Sequence, residues 1–516
     1  MRLDPRLLLV ALFLCCSSAR ADDLAAKIEK VITGPDHKSA RWGILVVDAA
    51  TGKTVYEHNA DQLFAPASVT KLFSCSAALV EFGADHRFET PVYQRGKRDK
   101  GKLFGDLILV ASGDFTLGGR NDKSGKMLFA DGDHIYASPG NTDTALTETD
   151  VLAGLKDLAK QVKASGVLEV TGDVLIDDRL FPRSRGSGSG PSIVTPIMVN
   201  DNVIDVVVTP AAKAGDRATI ETRPLTSFVQ IDVLVDTVEK GEKLNVTARR
   251  VGQDRFVVRG QIPVGSKPVI RICPVDDPAA FARALFIEAL RAEGVKVHAS
   301  ALEAPTADLP EKETYAKLTR AAVFRSPPLS EALKVTLKVS HNLYASAMPQ
   351  LVAVKHGERT QPAGMRIQGR LLGKLGVDVK SISLESGAGG GNGDRVSPRA
   401  TVQLLLGMRK RDDWATFESA LPVLGVDGTL ATAVGKDSPA RGKVKGKTGT
   451  YTDENRQQGR VHLRAKSLAG VMTTAKDRTL VFTIFVNDVP LPSGVTASRE
   501  GKVIGKLCEL IQQHAP

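Results

Sequence analysis

The run Val69–Phe82, "VTKLFSCSAALVEF", is apolar on almost every face of a helix, so it has to be buried on all sides, inside a layered domain, and Gly83 is where it should stop. Ser68 stands at its head and Lys71 three positions further on. That spacing puts a hydroxyl and an amine on one helix face, about 5–6 Å apart at Cβ. A serine hydroxyl is a poor nucleophile until a base removes its proton, and a lysine can be that base only when neutral. Burial and a neighbouring cation both push a lysine toward the neutral form. Taken alone, the pair reads more readily as a helix N-cap and a lysine whose amine snorkels to solvent.

The two chain ends look like halves of one α/β sandwich. "DDLAAKIEKVI" has helical spacing, and "WGILVVDAATGKTVYEHN" (42–59) reads as two strands joined at Ala50-Thr51-Gly52. Near the other end, "SLAGVMTT" (467–474) and "TLVFTIFV" (479–486) form a second hairpin, followed by the amphipathic helix "SREGKVIGKLCELIQ". The middle has a different character. "TETDVLAGLKDLAKQVKASGV" predicts a helix opened by a capping box at Thr147-x-x-Asp150, and "DPAAFARALFIEALRAEGVKV" a helix capped by Asp277 and Gly294. Between them, "FVQIDVLVD", "LNVTARRV" and "RFVVRGQIPV" alternate as strands, and "RSRGSGSGPS" (183–192) reads as a mobile loop.

At 516 residues the chain is long enough for several cores. "MRLDPR", the apolar "LLLVALFLCC" and Ala19-Arg20-Ala21 together read as a secretory signal peptide over 1–21, too short in its apolar part to be a membrane anchor. Cys15 and Cys16 offer a lipoprotein alternative, but they follow a bulky Leu14 or each other. The remaining Cys75, Cys273 and Cys508 form neither a disulfide framework nor a metal-ligand spacing. No metal or organic cofactor is expected. Of the net charge of +11, the leader carries +2 through Arg2, Arg6 and Arg20 against Asp4. Export excludes nucleic acid as a natural partner, and the basic stretch 94–102 reads as a solvated hairpin.

Two further short motifs change the weight of the first. Ser340-His341-Asn342 is the only Ser-x-Asn in the sequence, and Lys447-Thr448-Gly449 the only Lys-Thr-Gly; Ser68-x-x-Lys71 is also unique. Each is weak alone, but three in this order form a known signature. The residue types have physical roles to match. Lys447 and Thr448 can hold a carboxylate, and Gly449, just before a strand, lets a substrate backbone approach closely. Ser340 can protonate a leaving amine and Asn342 can bond a substrate amide. Lys447 adds a positive charge that helps to keep Lys71 neutral. His341 reads as a spacer turned away from the cleft.

With these motifs, and with "GDLILVASGDFTL", "GDVLIDDRLF", "LPVLGVDGTL" and "SLAGVMTT", the chain resembles the class C low-molecular-mass penicillin-binding proteins, the D-alanyl-D-alanine carboxypeptidase/endopeptidase family. The resemblance implies a multidomain α/β and α+β architecture. A penicillin-binding-protein/β-lactamase-like transpeptidase domain, an antiparallel sheet sandwiched by helices, would occupy 22–92 and 316–516. An inserted α/β domain would take 93–208 and 267–315, with a β-rich domain nested at 209–266.

The resemblance further implies an exported, periplasmic serine D-Ala-D-Ala carboxypeptidase acting on peptidoglycan stem peptides ending in D-Ala-D-Ala and acylated by β-lactams as covalent inhibitors, with DD-endopeptidase activity left open. Ser68 would form the acyl-enzyme, and the N–H groups of Ser68 and Thr450 the oxyanion hole. The sequence departs from the family at His341, where aspartate is usual, and at "ESGAGGGNGDRVSP" (385–398), which is glycine-rich and offers Arg395 to a substrate side-chain pocket. Loop 183–192 lacks the acidic residue expected opposite. The alternatives are a β-lactamase-type hydrolase and a catalytically silent wall-binding scaffold; oligomeric state is not legible.

Overall fold

The computed structural model describes residues 23–515, so the leader expected at 1–21 lies outside the described residues. The chain divides into two compact units, one made of the chain through Gly83, Thr336–His341 and the chain from Met365, the other of Ala84–Val335 and Asn342–Gly364.

The first unit is built on a five-stranded antiparallel sheet. Its elements in chain order are helix α1 (residues 23–32), β1 (Arg41–Asp48), β2 (Thr54–His58), α2 (Thr70–Phe82), α3 (Pro398–Arg409), β3 (Val444–Asn455), β4 (Arg460–Thr473), β5 (Thr479–Pro490) and α4 (Ser498–His514). The strand order is β3-β4-β5-β1-β2, so the central strands β5 and β1 come from opposite ends of the chain. Their near-continuous apolar runs follow from having both faces covered. Ile44 and Val46 of β1 join Phe482, Ile484 and Val486 of β5, Leu24 and Ile28 of α1, and Ile504, Leu507 and Ile511 of α4 in one core cluster. On the other face α3 packs against β5 and β1. Ten consecutive residues of α2, Thr70 to Leu79, are buried, as the all-round apolar run requires. Gly83 ends that helix at φ +82°.

The expectation that Lys-Thr-Gly stands just before a strand is corrected: Lys447–Gly449 lie inside β3. The polar stretch 451–466 forms the outer ends of β3 and β4, paired from Tyr451↔Ala465 to Asn455↔Arg460. Its alternation is masked by charged residues on an exposed ribbon.

In the second unit the strands Glu89–Asp99 and Lys102–Val110 form the hairpin expected for the basic stretch, and Thr319–Arg325 pairs with the first of them. Both strands of that pairing lie in this unit, which comprises Ala84–Val335 and Asn342–Gly364. Helices Ala153–Ala164 and Pro278–Ala292 pack together. Asp277 caps the latter by accepting from Ala280 N–H (3.0 Å). The former begins at Ala153, beyond the expected capping box, because Asp150 Oδ1 accepts from Leu152 N–H (3.0 Å) and makes a turn there. The β-rich tract forms two three-stranded sheets, but Val206, Val235, Val246 and Phe256 share one core cluster with Val92, Leu107 and Leu285. It therefore has no core of its own.

A buried charge network also belongs to this unit. Arg120 donates to both oxygens of Asp133 (2.8 and 2.9 Å) and to Asp201 (2.7 Å), and His134 lies between Asp201 and Asp205 at 2.9 and 2.5 Å. Tyr344 hydrogen-bonds Asp201 from the helix Asn342–Lys355. Asp133, His134 and Asp201 are close enough to share a metal ion, yet the Arg120 guanidinium is already bonded to both carboxylates, which does not suit a cation there.

Candidate active site

The head of α2 is a tight 3-10 turn, Ala67–Val69, entered with Ala67 at φ +45°. It presents Ser68 one turn ahead of Lys71, whose side chain is fully buried and whose Nζ lies 2.8 Å from Ser68 Oγ. Burial is the largest influence on this amine and brings its pKa down to about 7, against the pull of the nearby Cys75 and Asp394. The same burial pushes the Cys75 thiol up to about 12.

The glycine-rich segment expected to reach a substrate side chain does something else with its main chain. Ala388 O accepts from Lys71 Nζ at 2.8 Å, and Gly387 O accepts from Ser74 Oγ at 2.7 Å. Gly389, at φ +87°, passes so close to the turn that a Cβ there would sit 2.0 Å from Ala67 O. Asp394 closes the loop by accepting from the N–H groups of Glu385 (2.7 Å) and Gly391 (2.9 Å). Its burial raises its pKa.

Strand β3 supplies the third motif. Lys447 is fully buried; burial first, and the charge of Lys71 second, hold its pKa well below the ordinary lysine value, while its Nζ donates to Thr448 O (2.8 Å). The charge of Lys71 thus opposes a second positive charge on Lys447, the reverse of the expectation that Lys447 would hold Lys71 neutral; burial does that instead. Gly449 is where β3 meets the turn: a Cβ there would lie 3.0 Å from Ser68 N, 2.5 Å from Pro66 O and 2.2 Å from Ser467 Oγ. Ser467 Oγ of β4 donates to Pro66 O at 2.7 Å and fixes that approach. Thr450 follows, its Oγ1 bonded by Lys466 Nζ (2.7 Å). Burial lowers Lys466 to about 8.

Ser340 follows the helix Leu329–Lys338 and takes φ +65°, an uncommon backbone for a non-glycine residue. His341 is fully buried and donates its N–H to Thr336 O (3.0 Å). Asn342 belongs to the second unit, where its Nδ2 donates to Ser189 O of loop 183–192 (2.9 Å).

Within the first unit the structure therefore brings Ser68, Lys71, Lys447 and Gly449 together. Arg395 is not brought to them: its Nη1 donates to the carbonyls of its own loop, Asn392 (2.9 Å) and Asp394 (2.7 Å). Sequence reasoning missed Ala388 and Ser467. A main-chain carbonyl leaves no residue-type signal, and Ser467 is one serine in an apolar strand. Lys466 stands out only once β4 is seen to extend to Arg460.

The family model that matches the chain, over residues 24–504, is described as "D-Ala-D-Ala carboxypeptidase 3 (S13) family". The chain is 30% identical over 469 residues to a D-alanyl-D-alanine carboxypeptidase of Actinomadura sp. (strain R39), covering 86% of this chain and 79% of that one. It is 24% identical to the D-alanyl-D-alanine carboxypeptidase DacB of Haemophilus influenzae, over 86% and 85% of the two chains. A crystal structure of penicillin binding protein 4 (dacB) from Haemophilus influenzae shares the fold, with a TM-score of 0.68 at 20% identity over 94% of this chain and 99% of that one.

Proposed function

The chain belongs to the D-Ala-D-Ala carboxypeptidase 3 (S13) family and is a serine-type carboxypeptidase, and we propose that it releases the terminal D-alanine of peptidoglycan stem peptides through an acyl-enzyme on Ser68. One observation carries the assignment of roles: a fully buried lysine with a pKa of about 7 lies 2.8 Å from a serine hydroxyl at a helix head. Such an amine is close to half neutral at neutral pH, where a general base works best.

The proposed cycle balances with protein groups and one water. Neutral Lys71 takes the Ser68 proton as Oγ bonds to the carbonyl carbon between the two D-alanines. The N–H groups of Ser68 and Thr450 hold the resulting oxyanion. The C–N bond then breaks as Ser340 gives its proton to the leaving amine and takes in its place the proton held by Lys71, and D-alanine departs. Water attacks the ester and gives its proton to Lys71, the C–Oγ bond breaks as that proton returns to Ser68 Oγ, and the shortened peptide leaves. Asn342 holds the substrate amide, and Thr448 with Lys447 its terminal carboxylate. Secretion through the leader at 1–21 to the periplasm and acylation by β-lactams belong to the same reading.

The purified mature protein, given a labelled penicillin and a pentapeptide ending in D-Ala-D-Ala, is expected to be labelled and to release D-alanine, and Ser68→Ala to do neither. Release without dependence on Ser68 would sink this mechanism. A penicilloyl adduct that clears within a turnover time would point to the β-lactamase reading.

A further inference from the structure

A second threonine reaches the third motif from outside it. Thr448 Oγ1 donates to Thr429 Oγ1 at 2.7 Å; Thr429 is exposed and Thr448 partly so. Thr429 sits in the short 3-10 turn Gly428–Leu430 of "LPVLGVDGTL", and its position is tightly determined. Asp427 accepts from Lys338 Nζ with both oxygens (2.8 and 2.6 Å) and from Val423 N–H (2.8 Å). Lys338 is itself buried, two residues before Ser340. Gly428 lies at φ +59° against Lys338 O, where a Cβ would approach to 2.5 Å. The same segment is hydrogen-bonded to β3 by Leu424 N–H to Val444 O (2.9 Å) and Gly446 N–H to Pro422 O (3.0 Å).

The rigidity of that setting contrasts with the exposure of what it presents. A hydroxyl pair open to solvent adds little to stability, because water replaces it at small cost. Two hydroxyls side by side are, however, well matched to the two oxygens of one carboxylate. Each rotor can turn outward to donate, and a hydrogen bond to an ionised acceptor is about twice as strong as the neutral one it replaces. We propose that Thr429 is a specificity-determining residue whose hydroxyl joins that of Thr448 in binding the terminal carboxylate of the substrate, held in place by the Lys338–Asp427 ion pair. This rests on the reading of Thr448 as a carboxylate ligand given above. Lys338–Asp427 also ties the approach to Ser340 to the approach to Thr448, so the second and third motifs share one support.

The test compares kcat/KM for a peptide ending in D-Ala-D-Ala with that for the same peptide as its C-terminal amide, in the wild type, Thr429→Val, Thr429→Ser and Thr448→Val. Thr429→Val is expected to lower the acid-to-amide ratio about tenfold, chiefly through KM, and Thr429→Ser to restore it. The amide itself should be cleaved by Thr429→Val within about twofold of wild type. Equal losses for acid and amide would make Thr429 merely structural and overturn the inference. So would a ratio that falls in Thr448→Val but not in Thr429→Val. A ratio unchanged in both would overturn the carboxylate reading of Thr448 as well, so the two failures are distinguishable.

Discussion

The carbonyl oxygen of Ala388 lies 2.8 Å from Lys71 Nζ, the same distance as Ser68 Oγ. A carbonyl can only accept, so it holds one N–H of the amine in either protonation state. The lone pair of the neutral amine can then face the serine. A glycine-rich loop that looks like an untidy insertion thus orients the base.

Because burial places Lys71 near 7, the rate of acylation by a labelled penicillin should rise about tenfold per pH unit below that value and level off above it. The sign follows from the base being competent only when deprotonated. Rapid-quench measurements between pH 5 and 9 check this. A flat profile would mean that the amine is neutral throughout or is not the base.

Gly389→Ala should slow acylation by tenfold or more, since its Cβ would collide with Ala67 O at 2.0 Å and displace the turn that carries Ser68. Gly376→Ala is the matched control: φ is +85° there too, but the added Cβ meets nothing within 4 Å. Both variants carry similar backbone strain, so only the first should change the rate.

Arg395→Ala should leave kcat/KM for a stem peptide within about twofold of wild type, because its guanidinium is bonded to its own loop. Steady-state kinetics with a diamino-acid-containing peptide checks it; a loss above tenfold would show that the loop rearranges to offer this side chain to substrate.

Arg120→Met should destabilise the protein by about 3–5 kcal/mol, because it strands the buried carboxylates of Asp133 and Asp201. Denaturant unfolding measures this. The pH midpoint of acylation should not move, as the influences that shift Lys71, its burial, Cys75 and Asp394, lie outside this network.

Much of this was legible in the sequence. The all-round apolar character of 69–82 required a buried helix, and the hairpins at 42–59 and 467–486 required strands, because these patterns admit few other solutions. Ser68, Lys71 and Lys447 were legible as residue types in unique motifs. What was hidden is main-chain work. The exposed ends of β3 and β4 are too charged to show an alternating pattern, and the role of Ala388 has no side chain to betray it. The pairing of 89–99 with 319–325 was hidden too, because it spans a long insertion and nothing local in either strand announces its partner.

Strand β3 is the outermost member of its sheet, and the short segment around Pro422–Leu424 bonds through its main chain to the edge near Val444–Gly446. An edge strand is the kind of element that can take a guest chain through its amides, in the manner of an added strand. Recognition of this kind would tolerate varied side chains along the guest and penalise N-methylation of its peptide links.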